Sequence, residues 1–201
     1  MEPRTTKHAQ RSAATRERLI TAARTLFEQR GYADVGTEEI VHTAGVTRGA
    51  LYHQFRDKAE LFGAVVELVE TEIVAQVTSA LAEPAADPVA GLLRGARVFL
   101  TAYADPRIDQ VVLRDAPAVL GAAGWQQLNE QYGLGLVQSA VQNLIDAGVL
   151  TPQPAAPLAQ LLLGALNEAA RYVAASGDAG AATDECVHVL GQLLDGIRAR
   201  A

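Results

Sequence analysis

"TEEIVHTAGVTRGALYHQF", residues 37–55, decides how this chain is read. Ile40, Val41 and Ala44 recur at helical spacing and supply the inner face of one short helix. Gly45 then offers the left-handed conformation that ends a helix tightly. Thr47 is an N-cap for a second helix, which Val46, Ala50, Leu51 and Phe55 are expected to pack back against the first and onto Leu26 and Phe27. The small Ala44 and Ala50 permit close approach. Two short helices joined by a glycine-containing turn form a helix-turn-helix pattern.

With those positions packed, Thr47, Arg48, Gly49, Tyr52, His53 and Gln54 are expected to point outward. Such groups suit a helix that reads base edges in a major groove. Arg48 can donate two bonds to guanine, Gln54 can pair with adenine, and Gly49 lets the backbone approach. Thr37, taken as the N-cap of the first short helix, offers hydroxyl and backbone N–H to a phosphate. Lys58 is placed for the same task. Tyr52 beside His53 also raises acid–base or metal chemistry. No carboxylate stands at ligand spacing, however, and His42 lies on the other helix.

Outward from this stretch only helix signals appear. Leu19, Ala22, Ala23, Leu26 and Phe27 make one face of a helix over 12–31, with Gly31 as its cap. Asp57 and Glu60 start a long helix over 58–82. Further helices are expected near 88–103, 106–114, 125–147, 157–176 and 183–199, with breaks at "EPAADP", "DAPAVLGAAG", "AGVLTPQPAAP" and "SGDAG". The expectation is therefore an all-α fold of about nine helices. A disordered basic arm (1–11) precedes a helix-turn-helix domain (12–57) and a ligand-binding and dimerisation bundle (58–201).

Bulk properties narrow the function. The net charge is −6, yet residues 1–58 hold ten Lys/Arg against seven acids, leaving seven against sixteen beyond. That sign change suggests a basic front end facing a polyanion. A lone cysteine, Cys186, permits no internal disulfide and fits a reducing cytoplasm. There is no membrane-length apolar run and no signal-peptide pattern. No phosphate loop, zinc-type Cys/His spacing or Ser/His/Asp arrangement occurs, so neither an enzyme, a metal site nor a cofactor is expected.

The last two helices are apolar on more than one side. Leu158, Leu161, Leu162, Ala165, Ala169 and Val173 cover the first. On the second, Cys186, Leu190, Leu193 and Ile197 make one stripe, and Val187, Gly191 and Leu194 its neighbour. The surplus width points to a two-fold four-helix interface built on Leu158, Leu161, Leu162, Ala165, Val187, Leu190, Gly191 and Leu194. Candidate pocket residues are the polar or aromatic groups on otherwise apolar helices: Phe99, Tyr103, Arg114, Trp125, Tyr132, Asn167 and Arg171. With few buried charges available, the ligand expected there is apolar or weakly polar.

"TEEIVHTAGVTRGALYHQFRDKAELF" (37–62), with "AARTLFEQRGY" (22–32) before it, resembles the signature of TetR-family transcriptional repressors. The resemblance implies a homodimer whose recognition helices enter successive major grooves of a palindromic operator. It implies a small-molecule pocket in the C-terminal bundle, and places Tyr52 and Lys58 at phosphates. Positions 48, 49 and 53 correspond to variable reading positions. The long fourth helix would carry ligand binding to the reading heads, so that effector and operator compete. The residues alone leave a second reading open, a helical small-molecule-binding or adaptor protein without DNA binding.

Overall fold

The computed structural model describes residues 4–85 and 87–199. Among them are α1 (Arg4–Arg30), α2 (Thr37–Ala44), α3 (Arg48–Gln54), α4 (Lys58–Ala82), α5 (Pro88–Tyr103), the single turn α6 (Pro106–Ile108), α7 (Ala116–Asn129), α8 (Gly135–Asp146), α9 (Ala155–Ala175) and α10 (Ala179–Asp195). Two π-helical stretches, Asp109–Asp115 and Glu130–Leu134, interrupt the α-helical path. The fold is all-α.

The chain divides into two compact units. The first comprises Met1–Val69 and Gln110–Ala122. Its core is the face expected for α1, with Leu19, Ala23 and Phe27 fully buried together with Ile40 of α2 and Leu51 of α3. Leu61, Phe62 and Val65 of α4 are equally buried. The Phe27 and Phe62 rings meet edge to face at 5.3 Å, and Tyr32 meets Phe62 at 5.1 Å. The start of α4 thus packs with the helix-turn-helix unit, and the contact boundary falls after Val69 rather than at 57/58.

The second unit comprises Glu70–Asp109 and Ala123–Ala201. There α5, α8, α9 and α10 enclose a core that includes Val89, Ala96, Val141, Ala155, Leu162, Leu190 and Leu194. Asp178 caps α10 by accepting from the Ala181 N–H at 3.0 Å, which starts that helix earlier than 183. It ends at Asp195, because the next residues turn to pair with the linker. The Thr151 N–H donates to Ile197 O, and the Ala199 N–H to Val149 O, both at 3.0 Å.

Two other expectations change. The disordered arm of 1–11 is helical from Arg4 onward, while residues 1–3 lie outside the described residues. Nothing between Arg4 and Arg11 breaks a helix, and adding residues to an existing helix is easier than nucleating one. "DAPAVLGAAG", read as a break, is also helical. Its alanines favour helix, and only Gly121 departs, with φ 72° kinking α7.

Candidate DNA-reading face and effector cavity

The turn between α2 and α3 is built as its residues require. Gly45 has φ 62° and ψ 39°, and its N–H donates to His42 O at 3.0 Å. Arg18 of α1 closes over it, donating from Nη2 to Gly45 O at 2.9 Å. A Cβ on Gly45 would come within 2.7 Å of that nitrogen. Gly45→Ala should therefore cost about 1–2 kcal/mol from left-handed strain, and Arg18 must also withdraw. Urea denaturation followed by circular dichroism measures it.

Thr47 caps α3 as expected, its hydroxyl accepting from the Ala50 N–H at 3.2 Å. Thr37 does not cap α2: the N-cap is Gly36, which has no side chain to use, and Thr37 is the first helical residue. Glu38 and Glu39 in the first turn still suit the positive end of that helix. Behind α3, Leu51 is fully buried and Phe55 is 2% exposed, with Arg16 of α1 stacked 5.0 Å over the Phe55 ring.

Outward, Thr47, Arg48, Gly49, Tyr52 and His53 are all exposed. Arg48 lies 5.6 Å over the Tyr52 ring and donates to Glu38 at 2.8 Å. Both members of that ion pair are more than 60% exposed, so it contributes little and is readily exchanged for another acceptor. Gln54 differs from expectation. It is half-buried, and its Nε2 donates to the Ser12 hydroxyl at 2.7 Å, tying α3 to α1. Its amide is thereby turned from the outer face.

Lys58 is also turned inward. Its Nζ donates to Tyr32 O at 2.8 Å and Val35 O at 2.9 Å, and lies 3.9 Å over the Tyr32 ring. Burial pulls its ammonium below the ordinary lysine range, opposed by Asp115 and Asp34. Asp115 adds a bond from the Tyr32 N–H at 2.7 Å, so the α1–α2 turn is held from both sides. Glu60 accepts from the Arg56 N–H at 2.6 Å while Asp57 accepts from the Glu60 N–H at 2.8 Å. This reciprocal pair starts α4.

The second unit holds an apolar cavity of about 70 Å³ between α4, α5, α8, α9 and the stretch at 130–134. Of the expected pocket residues, Phe99, Tyr103, Tyr132 and Asn167 line it. Arg114, Trp125 and Arg171 do not. Arg171 lies on the exposed side of α9 and pairs with Glu168. Arg114 is exposed on the π-helical stretch, and Trp125 is half-buried on α7, beyond the Gly121 kink. The residue that sequence reasoning missed is Glu70, whose carboxylate accepts from the Tyr103 hydroxyl at 2.7 Å inside the cavity. Burial pushes Glu70 above the usual carboxylate range and Tyr103 well above the usual phenol range. The available signal in "AVVELVETEIV" was spacing: of its three acids, Glu70 is the one that falls on the face of Val66, Ile73 and Val74.

On α9 and α10 the stripes divide differently from expectation. Leu162, Val187, Leu190 and Leu194 are buried inside the unit, Leu158 is half-buried against the same core, and Gly191 packs against Leu93 of α5. The outward apolar set is Leu161 (72% exposed), Tyr172, Val189 and Leu193, with Ala165 and Cys186 beside them. The 3.6-residue period fixed the stripes, but packing on α5 decided which one is internal.

A helix-turn-helix that presents arginine, tyrosine and histidine on a short exposed helix, followed by a helical bundle with an internal cavity, defines a DNA-binding transcriptional regulator. The family described as "Bacterial regulatory proteins, tetR family" matches residues 19–65, and "Tetracyclin repressor-like, C-terminal domain" matches 89–197. The chain belongs to the TetR family of bacterial transcriptional regulators, and is a regulator rather than an enzyme. It is 34% identical to a TetR-family transcriptional regulator from Pectobacterium atrosepticum, with 99% of each chain covered and a TM-score of 0.83. The transposon Tn10 TetC protein of Escherichia coli is 28% identical over 155 residues, 75% of this chain and 76% of that one. The regulator AcrR of Shigella flexneri is 42% identical over 67 residues, only 33% of this chain and 31% of its own length. RolR, solved with its ligand resorcinol, shares the fold with a TM-score of 0.73 at 21% identity over 92% of this chain and 90% of its own.

Proposed function

We propose that this chain is a homodimeric repressor that binds a palindromic operator and leaves it when a small molecule occupies the bundle cavity. The observation that carries the DNA half of this reading is the α3 surface. Arg48, Tyr52 and His53 stand exposed on a helix whose other side is locked by Leu51 and Phe55. A rigid helix with pre-positioned polar groups fits groove reading at low entropic cost. Arg48 reads a base edge once it releases Glu38, Tyr52 and Thr47 anchor phosphates, and Gly49 and His53 meet the groove wall. Thr37 at the start of α2 serves the flanking phosphate. Gln54 and Lys58 support the face from behind, through Ser12 and the α1–α2 turn.

The dimer reading rests on the outward apolar set of α9 and α10, which is larger than scattered exposed residues require. The cavity, lined mostly by apolar groups around the Glu70 carboxylate, is suited to a small effector with a largely apolar body. RolR with its resorcinol supports a small molecule in this fold. The protein acts in the cytoplasm, where its operator lies.

Fluorescence anisotropy with the intergenic DNA beside its gene tests the reading. Wild type should bind at low micromolar concentration or tighter, with affinity falling steeply as salt rises. Arg48→Ala should lose about tenfold to hundredfold on the operator and little on unrelated DNA. Equal loss on both would remove Arg48 from base reading, and wild type indifferent to the intergenic DNA would remove the operator assignment.

A further inference from the structure

The cavity of the second unit is lined mostly by apolar groups, with Tyr103, Tyr132 and Asn167 as neutral polar members and Glu70 as its one acidic or basic side chain among the described residues. Glu70 is 7% exposed. Its Oε1 accepts from the Tyr103 hydroxyl at 2.7 Å, and this is its one hydrogen bond among the described residues. No buried side-chain oxygen or nitrogen there lacks a partner. Oε2 therefore keeps open surface, and the open space that Glu70 lines is the cavity. No lysine, arginine or histidine lines that space among the described residues. Three aromatic rings do, and two of them, Phe99 and Tyr103, sit with centroids 4.7 Å apart.

A carboxylate in an apolar chamber is costly unless it gains a partner of opposite charge. The protein supplies only a neutral phenol, on one oxygen. The aromatic faces that line the same cavity attract a cation in their own right. A charge-assisted bond from an ammonium group to a carboxylate is about twice as strong as one from a neutral donor. Size adds a limit: about 70 Å³ is roughly half of a cavity that accepts benzene.

We propose that the cavity takes a small aliphatic amine, its ammonium group donating to Glu70 Oε2 beside Phe99 and Tyr103, and its short alkyl body lying among the leucines and valines of α4, α5 and α9. This rests on reading the cavity as the effector site. It adds the class of effector: cationic at its head, branched or short in its body, without an acidic group.

Isothermal titration with ethylamine, ethanol and propionate tests it, since the three share one ethyl body and differ in the head group. The amine should bind wild type at least tenfold more tightly than the alcohol, and propionate should not bind. Glu70→Gln, which keeps an acceptor for Tyr103, should bring amine and alcohol within about twofold of each other. Amine and alcohol binding wild type equally, propionate binding best, or an undiminished amine preference in Glu70→Gln would each overturn the proposal. The wild-type order decides even if that variant does not fold, and Tyr103→Phe, which keeps the carboxylate, should retain the amine preference. A parallel anisotropy titration on operator DNA separates the two readings. Amine binding that leaves operator affinity unchanged keeps the ligand class and removes the effector role. Three ligands that all fail to bind remove both.

Discussion

Phe27→Ala should lower the stability of the helix-turn-helix unit by about 3–5 kcal/mol, the range for removing a buried phenylalanine. Phe27 has no exposed surface and contacts two other rings, Tyr32 at 5.7 Å and Phe62 at 5.3 Å. Its loss leaves a void where α1, the α1–α2 turn and the start of α4 converge. Those elements are stiff helices that cannot collapse into the space. Lys58 would suffer in turn, because the Tyr32 ring under its ammonium would lose its support. Thermal and urea melts followed at 222 nm should show an earlier transition, and operator binding should fail near 37 °C while returning in the cold. A melt within about 1 kcal/mol of wild type would mean that this aromatic cluster does not hold the unit together.

Leu161→Glu combined with Leu193→Glu should convert the dimer to monomer. Both leucines stand on the outward apolar set of α9 and α10, at 72% and 61% exposure, so neither substitution disturbs the core of its own unit. In a two-fold contact the pair would place four carboxylates in one interface. An uncompensated buried charge costs about 3–5 kcal/mol, enough to raise a dimer dissociation constant by more than a hundredfold for each site disturbed. Sedimentation velocity at micromolar concentration should show the monomer alone, with an unchanged helical spectrum. Operator affinity should fall with it, since each half-site would be bound singly. If the variant sediments as wild type does, the outward face of α9 and α10 is not the interface.

The fold was legible because its signals are local. Leu19, Ala23 and Phe27 lie three or four residues apart, and Gly45 and Thr47 act on their immediate neighbours, so one window of sequence contains both cause and effect. The site was legible in part, for the opposite reason. Gln54 was expected outward, but its partner is Ser12, 42 residues away. Lys58 was expected at a phosphate, but its carbonyl partners are 26 and 23 residues away. A polar side chain near the edge of a helix face can satisfy itself on either side, and only tertiary neighbours decide. The same holds for α9 and α10, where two apolar stripes of similar composition are distinguished only by which one meets α5. Glu70 escaped notice because an acid within a hydrophobic run reads as a solvated edge until its neighbours are known.

The division of α4 at Val69 has a practical meaning for anyone who recombines such regulators. A chimaera cut at the visible seam, the loop before Lys58, would separate Leu61, Phe62 and Val65 from the core they complete. It would also discard 110–122, a distant stretch that carries Asp115 to the Tyr32 N–H. The portable reading head is therefore discontinuous in sequence: residues 1–69 and a second strip inserted forty residues later. Grafting it onto a foreign sensor requires transplanting both pieces, with the splice hidden in the middle of a helix.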